Sequence, residues 1–228
     1  MKNNIMRLLS RSISVLLVTT LITSVFAVST YAENNDADPI TVVSLGDSYS
    51  SGEGIPPFYG QTDPQGKQLP IQKKITDNDW LAHRSPKGWP SLLKFPDSGE
   101  TLGHYKVDSV NKALKYNWYF RASSGATTEH FTQQQEKTVQ RVDYHIRKKA
   151  TIHLPAQLDV FKSIPQGTVD YVTLTIGGND VDFAGLITTC AIGVATYTDA
   201  NLLDLKLHKL WSNFDATKAD IKRAYTNI

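Results

Sequence analysis

The chain predicts an α/β domain with a mostly parallel sheet, and three observations carry that prediction. Three separated runs, 40–45, 116–121 and 169–176, are rich in β-branched and aromatic residues, which suit a pleated, buried surface. Stretches with apolar residues three and four apart lie between and after them, the spacing of one helix face. Each run leads into Gly, Ser, Asp or Asn, the residues that turn a chain. Alternating strands and helices of this kind build a parallel sheet covered by helices.

The first 32 residues read as a secretory signal. Lys2, Arg7 and Arg11 form a basic start, 13–28 is apolar, and Thr30, Tyr31 and Ala32 resemble a small-residue cleavage site. A retained membrane anchor is the alternative, although Thr19, Thr20, Thr23 and Ser24 weaken the segment as a spanning helix. Cleavage after Ala32 is the expectation, so the product is expected to be secreted and to contact membrane only through this segment. Residues 33–39 are a polar leader and 40–228 form one domain. Removing 1–32 takes 24 basic residues to 21 against 22 acidic ones, a net charge of −1. No basic surface for nucleic acid is expected from that balance. The single Cys190 excludes an intrachain disulfide, and its apolar setting in 187–192 reads as that of a buried small hydrophobe.

The elements follow in order. The first strand, 40–45, runs into Gly46-Asp47-Ser48-Tyr49-Ser50-Ser51-Gly52-Glu53-Gly54. Residues 52–79 are a Gly-, Pro- and Gln-rich excursion able to wall a cleft or to stay an exposed loop. Trp80, Trp89 and Pro90 mark the return to packed structure, followed by a short helical run at 91–94. The aromatic second strand, 116–121, leads into Ser123-Ser124-Gly125-Ala126-Thr127. Val139, Val142 and Ile146 predict a helix over much of 131–149, with 132–137 as its solvated face. Leu154, Leu158 and Phe161 give 154–164 a short amphipathic segment before the third strand, 169–176. A helix over 199–228 is predicted from Leu203, Leu207, Leu210, Trp211 and Phe214, continued by Ile221, Tyr225 and Ile228.

The chemistry is concentrated where the strands end. Gly46 lets the first strand turn sharply, Asp47 suits a helix cap, and Ser48 is then delivered to the carboxyl edge of the sheet, where open α/β sheets bind ligands. Backbone N–H groups at a helix start favour the oxyanion that a serine's attack creates. Read singly, Gly125 also fits an ordinary turn, and Asn179 or Asp180 in Gly177-Gly178-Asn179-Asp180 also fits a helix cap.

In order, these three blocks resemble the SGNH (GDSL) hydrolase superfamily, in its secreted esterase and lipase subgroup. The stretch Ala82-His83-Arg84-Ser85-Pro86-Lys87-Gly88-Trp89-Pro90 is similar to a segment of the same subgroup. The resemblance covers 40–228 and implies a three-layer flavodoxin-like sandwich. It implies Ser48 as nucleophile, with Gly125 and Asn179 as oxyanion-hole residues. It implies cleavage of carboxylic esters through an acyl-enzyme, the substrate being an acyl lipid, an acylated glycan or a small ester. No cofactor is implied. No metal is expected either, because Asp180 and Asp182 lack further ligands and Phe183 interrupts them. Gly-x-Ser-x-Gly, the phosphate-loop and dinucleotide fingerprints and His-Glu-x-x-His are all absent.

One departure stands out. The family's base comes as Asp-x-x-His near the C-terminus, and no Asp here has His three residues later. His208, in Asp204-Leu205-Lys206-Leu207-His208, is one residue out of that register. Together with a sheet of only three visible strands, this gives the expectation of a chain lacking its last strands and its base. An inactive remnant or an exported binding module is the alternative to the esterase.

Overall fold

The computed structural model describes residues 28–29, 39–95, 98–143, 146–185 and 187–188, with 218–219, 222–223 and 226. Six strands are present among them: β1 (Val28–Ser29), β2 (Ile40–Gly46), β3 (Tyr116–Phe120), β4 (Gln135–Asp143), β5 (Ile146–Leu154) and β6 (Val169–Thr175). Four form one sheet in the order β1-β6-β2-β3. β2 is central and parallel to both β3 and β6, while β1 adds a two-residue antiparallel pairing on β6. The three long strands are those expected from composition, and the sheet is mixed but mostly parallel.

Burial explains why these runs are mostly apolar. Val43 and Leu45 of β2 face one core with Tyr119, Phe131, Val160, Ile164 and Leu174. Val42 faces a second core with Leu102, Trp118, Phe120 and Ala122. A parallel strand covered on both faces needs apolar residues at successive positions. Thr41, Ser44, Asn117, Asp170, Thr173 and Thr175 are buried polar exceptions, and Ser44 of β2 is wholly buried. Its Oγ accepts from Trp118 Nε1 at 2.8 Å and from Thr173 Oγ1 at 2.7 Å, so the hydroxyl cross-links the three strands instead of standing unsatisfied.

Among the described residues, the elements that cover the sheet are short. They include the single-turn helices α1 (Ser48–Ser51), α2 (Ile71–Lys74) and α3 (Asn78–Leu81), and residues 183–185 and 187–188, after β6, are also helical. Short 3₁₀ segments at Trp89–Leu92, Leu102–Tyr105, Thr128–Phe131 and Gln157–Ser163 supply the rest. The excursion 52–79 is thus folded, carrying α2 and the start of α3.

The helix expected over 131–149 is corrected by the structure. β4 and β5 form an antiparallel hairpin there, pairing Gln135 with Leu154 through to Asp143 with Ile146. The burial has period two: Gln135, Lys137 and Val139 are buried or half-buried, and Glu136 and Thr138 are exposed. Across the hairpin Ala150, Ile152 and Leu154 turn inward while Lys149, Thr151 and His153 are exposed. The inward face packs on Trp80, Leu81 and Ala82 through Val139, Ile152 and Leu154. The expected helix over 199–228 lies almost wholly outside the described residues, as do Cys190 and His208.

Candidate active site

β2 ends in a turn that only glycine fits. Gly46 has φ +130°, and a Cβ there would lie 2.2 Å from Thr175 O of β6. Asp47 follows as the cap of α1, its side chain accepting from Tyr49 N at 3.1 Å. Ser48 is the first residue of α1 and half-buried. With a single turn, α1 has too few aligned peptides for a substantial macrodipole, so only individual N–H groups remain of the expected helix-terminus effect.

The turn is fastened from both neighbouring strands. Asp47 N donates to Thr175 O at 2.8 Å, and Ser123 N donates to Gly46 O at 2.9 Å. Gln157, nearly inaccessible to solvent, binds the same glycine twice: Nε2 donates to Gly46 O and Gly46 N donates to Oε1, both at 2.8 Å. Thr175 Oγ1 lies 2.5 Å from Ser50 Oγ and 3.3 Å from Asp47 Oδ1. Burial raises the Asp47 carboxyl above its ordinary pKa, although the Tyr49 N–H, the Thr175 hydroxyl and the Gly178 N–H favour its charged form.

The other two expected residues stand on adjoining loops at the same edge. Gly125 follows β3, is exposed and has φ +73°. Asn179 follows β6, is half-buried, and donates from Nδ2 to Ala126 O at 2.8 Å. That bond uses one of the two amide protons. Asp180 accepts from Thr128 N at 3.0 Å and from Thr128 Oγ1 at 2.6 Å, which ties the loop after β6 to the loop after β3. The three loops after β2, β3 and β6 therefore form one hydrogen-bonded edge.

Sequence reasoning missed two groups at this edge. The first is Glu53 with His83: Glu53 N donates to Ser48 O at 3.0 Å, and Glu53 Oε2 lies 2.6 Å from His83 Nδ1. Burial opposes ionisation of Glu53, but the Ser124 hydroxyl and the His83 ring outweigh it and hold the carboxyl below its usual range. His83 has φ +53° and stacks on Phe58 at 4.6 Å. Among the described residues no histidine is hydrogen-bonded to the Ser48 hydroxyl. The second is Lys137 with Gln135, both of which donate to Ser124 O. Their inward positions on β4 were hidden by the assignment of 132–137 to a solvated helix face.

Arg84, in the segment 82–90, is a structural hub. It is 5% exposed, donates to Ala122 O at 2.8 Å and Arg121 O at 3.1 Å, and pairs with Asp79 at 2.7 Å. Asp79 also meets Lys106 at 2.6 Å. An open cavity of about 360 Å³ beside this cluster is lined by Asp79, Arg84, Asp108, Arg121 and Gln157 among others, and not by Ser48, Gly125 or Asn179. Among the described residues no group of three or more His, Cys, Asp or Glu is placed to hold a metal, and no helix is long and apolar enough to cross a membrane.

Comparison of the chain with protein-family models, with curated proteins and with solved structures found no match in any of the three.

Proposed function

We propose that the chain is a secreted serine ester hydrolase of the SGNH type, with Ser48 as nucleophile. Ser48 Oγ attacks the carbonyl carbon of an ester as its hydroxyl proton passes to solvent, the C–O bond to the alcohol breaks as the departing oxygen takes a proton from solvent, and water later cleaves the acyl-enzyme. The backbone N–H groups of Ser48 and Gly125 and the second amide proton of Asn179 hold the developing oxyanion. The substrate is a carboxylic ester of an acyl lipid, an acylated glycan or a small alcohol. The α/β architecture is compatible with a three-layer flavodoxin-like sandwich.

One observation supports this reading above the others. The loops carrying Ser48, Gly125 and Asn179 follow three adjacent parallel strands and are joined through Ser123 N to Gly46 O, Asp47 N to Thr175 O, and Asn179 Nδ2 to Ala126 O. A nucleophile and oxyanion donors need that kind of shared, rigid edge. The sequence holds no Asp-x-x-His, so the proposal assigns to this chain the nucleophile and the donors.

The test is release of p-nitrophenolate from p-nitrophenyl acetate by the purified full chain and by Ser48→Ala. Release above the uncatalysed rate that vanishes in Ser48→Ala is expected. Equal rates in the two proteins would overturn the proposal.

A further inference from the structure

The peptide joining Ser124 to Gly125 has a carbonyl that is held unusually firmly. Ser124 O accepts from Gln135 Nε2 at 2.9 Å and from Lys137 Nζ. Gln135 is itself fixed, since its Oε1 accepts from Ser123 Oγ at 2.5 Å and it is 6% exposed. In a trans peptide the C=O and N–H point in opposite directions. The two donors on the Ser124 carbonyl therefore aim the Gly125 N–H away from the hairpin, on a residue that is itself exposed. A cation on the carbonyl draws electron density from the amide, and hydrogen bonds in series strengthen one another by about 10–30% each.

From this geometry we infer that Lys137 is a positioning residue of the proposed ester hydrolase, orienting and polarising the Ser124–Gly125 peptide so that the Gly125 N–H binds the oxyanion. The inference rests on the reading of Ser48 as nucleophile and deepens it. A neutral donor such as Gln135 already satisfies the carbonyl. A second, charged donor on a half-buried strand position carries a desolvation cost that hydrogen bonding alone does not require.

The charge on Lys137 is titratable near neutrality. Burial pushes its ammonium down to about 8; Glu53 opposes the fall and Arg84 adds to it. Glu53 is in turn held by His83 and Ser124. His130, on the loop after β3, feels Lys137 together with Glu129 and Asp180. The protonated lysine is thus present below about pH 8 and lost above it.

The test is the rate at which an alkyl fluorophosphonate labels Ser48 in the full chain, followed by intact mass from pH 6 to 10. In labelling, the Ser48 Oγ–P bond forms, the P–F bond breaks, fluoride leaves and the hydroxyl proton passes to solvent. Removing an oxyanion donor outright costs about 100–1000-fold, so weakening one by Lys137→Gln is expected to slow labelling about tenfold at pH 6.5. The ratio of wild-type to Lys137→Gln rates should fall towards one as pH rises through 8. Lys137→Arg, charged throughout this range, should restore the rate and keep it above pH 8.

A labelled wild type with a ratio near one at every pH would overturn the role of Lys137 and leave Ser48 as nucleophile. A wild type not labelled at Ser48 would overturn both. If Lys137→Gln does not fold, the Arg variant decides: a profile parallel to wild type through pH 8 contradicts the inference, and a sustained alkaline rate supports it.

Discussion

The side-chain amide of Gln157 closes a ring on the Gly46 peptide groups, donating to the carbonyl and accepting from the N–H, each at 2.8 Å. The two residues are 111 positions apart and both bonds are buried. The turn that carries Ser48 is therefore held by a side chain from the far side of the hairpin as well as by its own strand. Gln157→Leu removes both partners while Ser123 N still serves the carbonyl, leaving a buried N–H unsatisfied at about 1–3 kcal/mol. Urea unfolding should show a loss of that size.

Gly46→Ala should be worse tolerated than its small volume suggests. The added methyl meets the Thr175 backbone, which cannot rotate away, at a φ that L-residues rarely adopt. A loss above about 1 kcal/mol is expected, since Ala at positive φ costs more than the entropy it saves. Gly54→Ala, with nothing within 4 Å of its Cβ and φ +80°, separates the two causes. It carries the strain without the clash and should lose less on thermal melting.

Asn179→Ala should spare the fold and impair the reaction. Its Nδ2 bond to Ala126 O is at a half-buried surface, whereas its second proton is proposed to bind the oxyanion. The kcat for p-nitrophenyl acetate should fall about 100–1000-fold, with KM little changed. A fall in stability with kcat intact would instead assign Asn179 to the loop alone.

The Asp79–Arg84 pair should govern acid stability near the site. Burial works against ionisation of Asp79, yet Arg84 and Lys106 outweigh it and hold its carboxyl below the ordinary range. A carboxyl lowered on folding contributes stability above its unfolded pKa of about 3.9, and that contribution is lost as pH falls through the folded value. Asp79→Asn leaves the buried Arg84 without its counter-charge and should cost about 3–5 kcal/mol at pH 7. The gap in Tm between wild type and variant should narrow below about pH 4.

β2, β3 and β6 were legible in the sequence because residues on both of their faces pack into the two cores, so composition marks them. The turn at Gly46 and the loops at Gly125 and Asn179 were legible because turn residues follow each strand. The β4–β5 hairpin was not. Its alternation is present, but Gln135 and Lys137 occupy inward positions where apolar residues would have shown period two. Those two side chains face inward because they bind Ser123 and Ser124. Local pattern gives way where inward side chains hold a neighbouring loop instead of filling a core. The Glu53–His83 pair was hidden for another reason: its members are 30 residues apart and are brought together by the return of the chain, where Ser85 N donates to Ser51 O at 2.8 Å and Tyr59 N to Arg84 O at 2.9 Å.

The central claim is that Ser48 is a nucleophile. It is tested most directly by peptide mapping of the full chain after reaction with a fluorophosphonate. The account predicts one phosphonyl group on the peptide containing Ser48, absent from Ser48→Ala. An adduct on Ser50, Ser51 or Ser124, or no adduct at any serine, would contradict it.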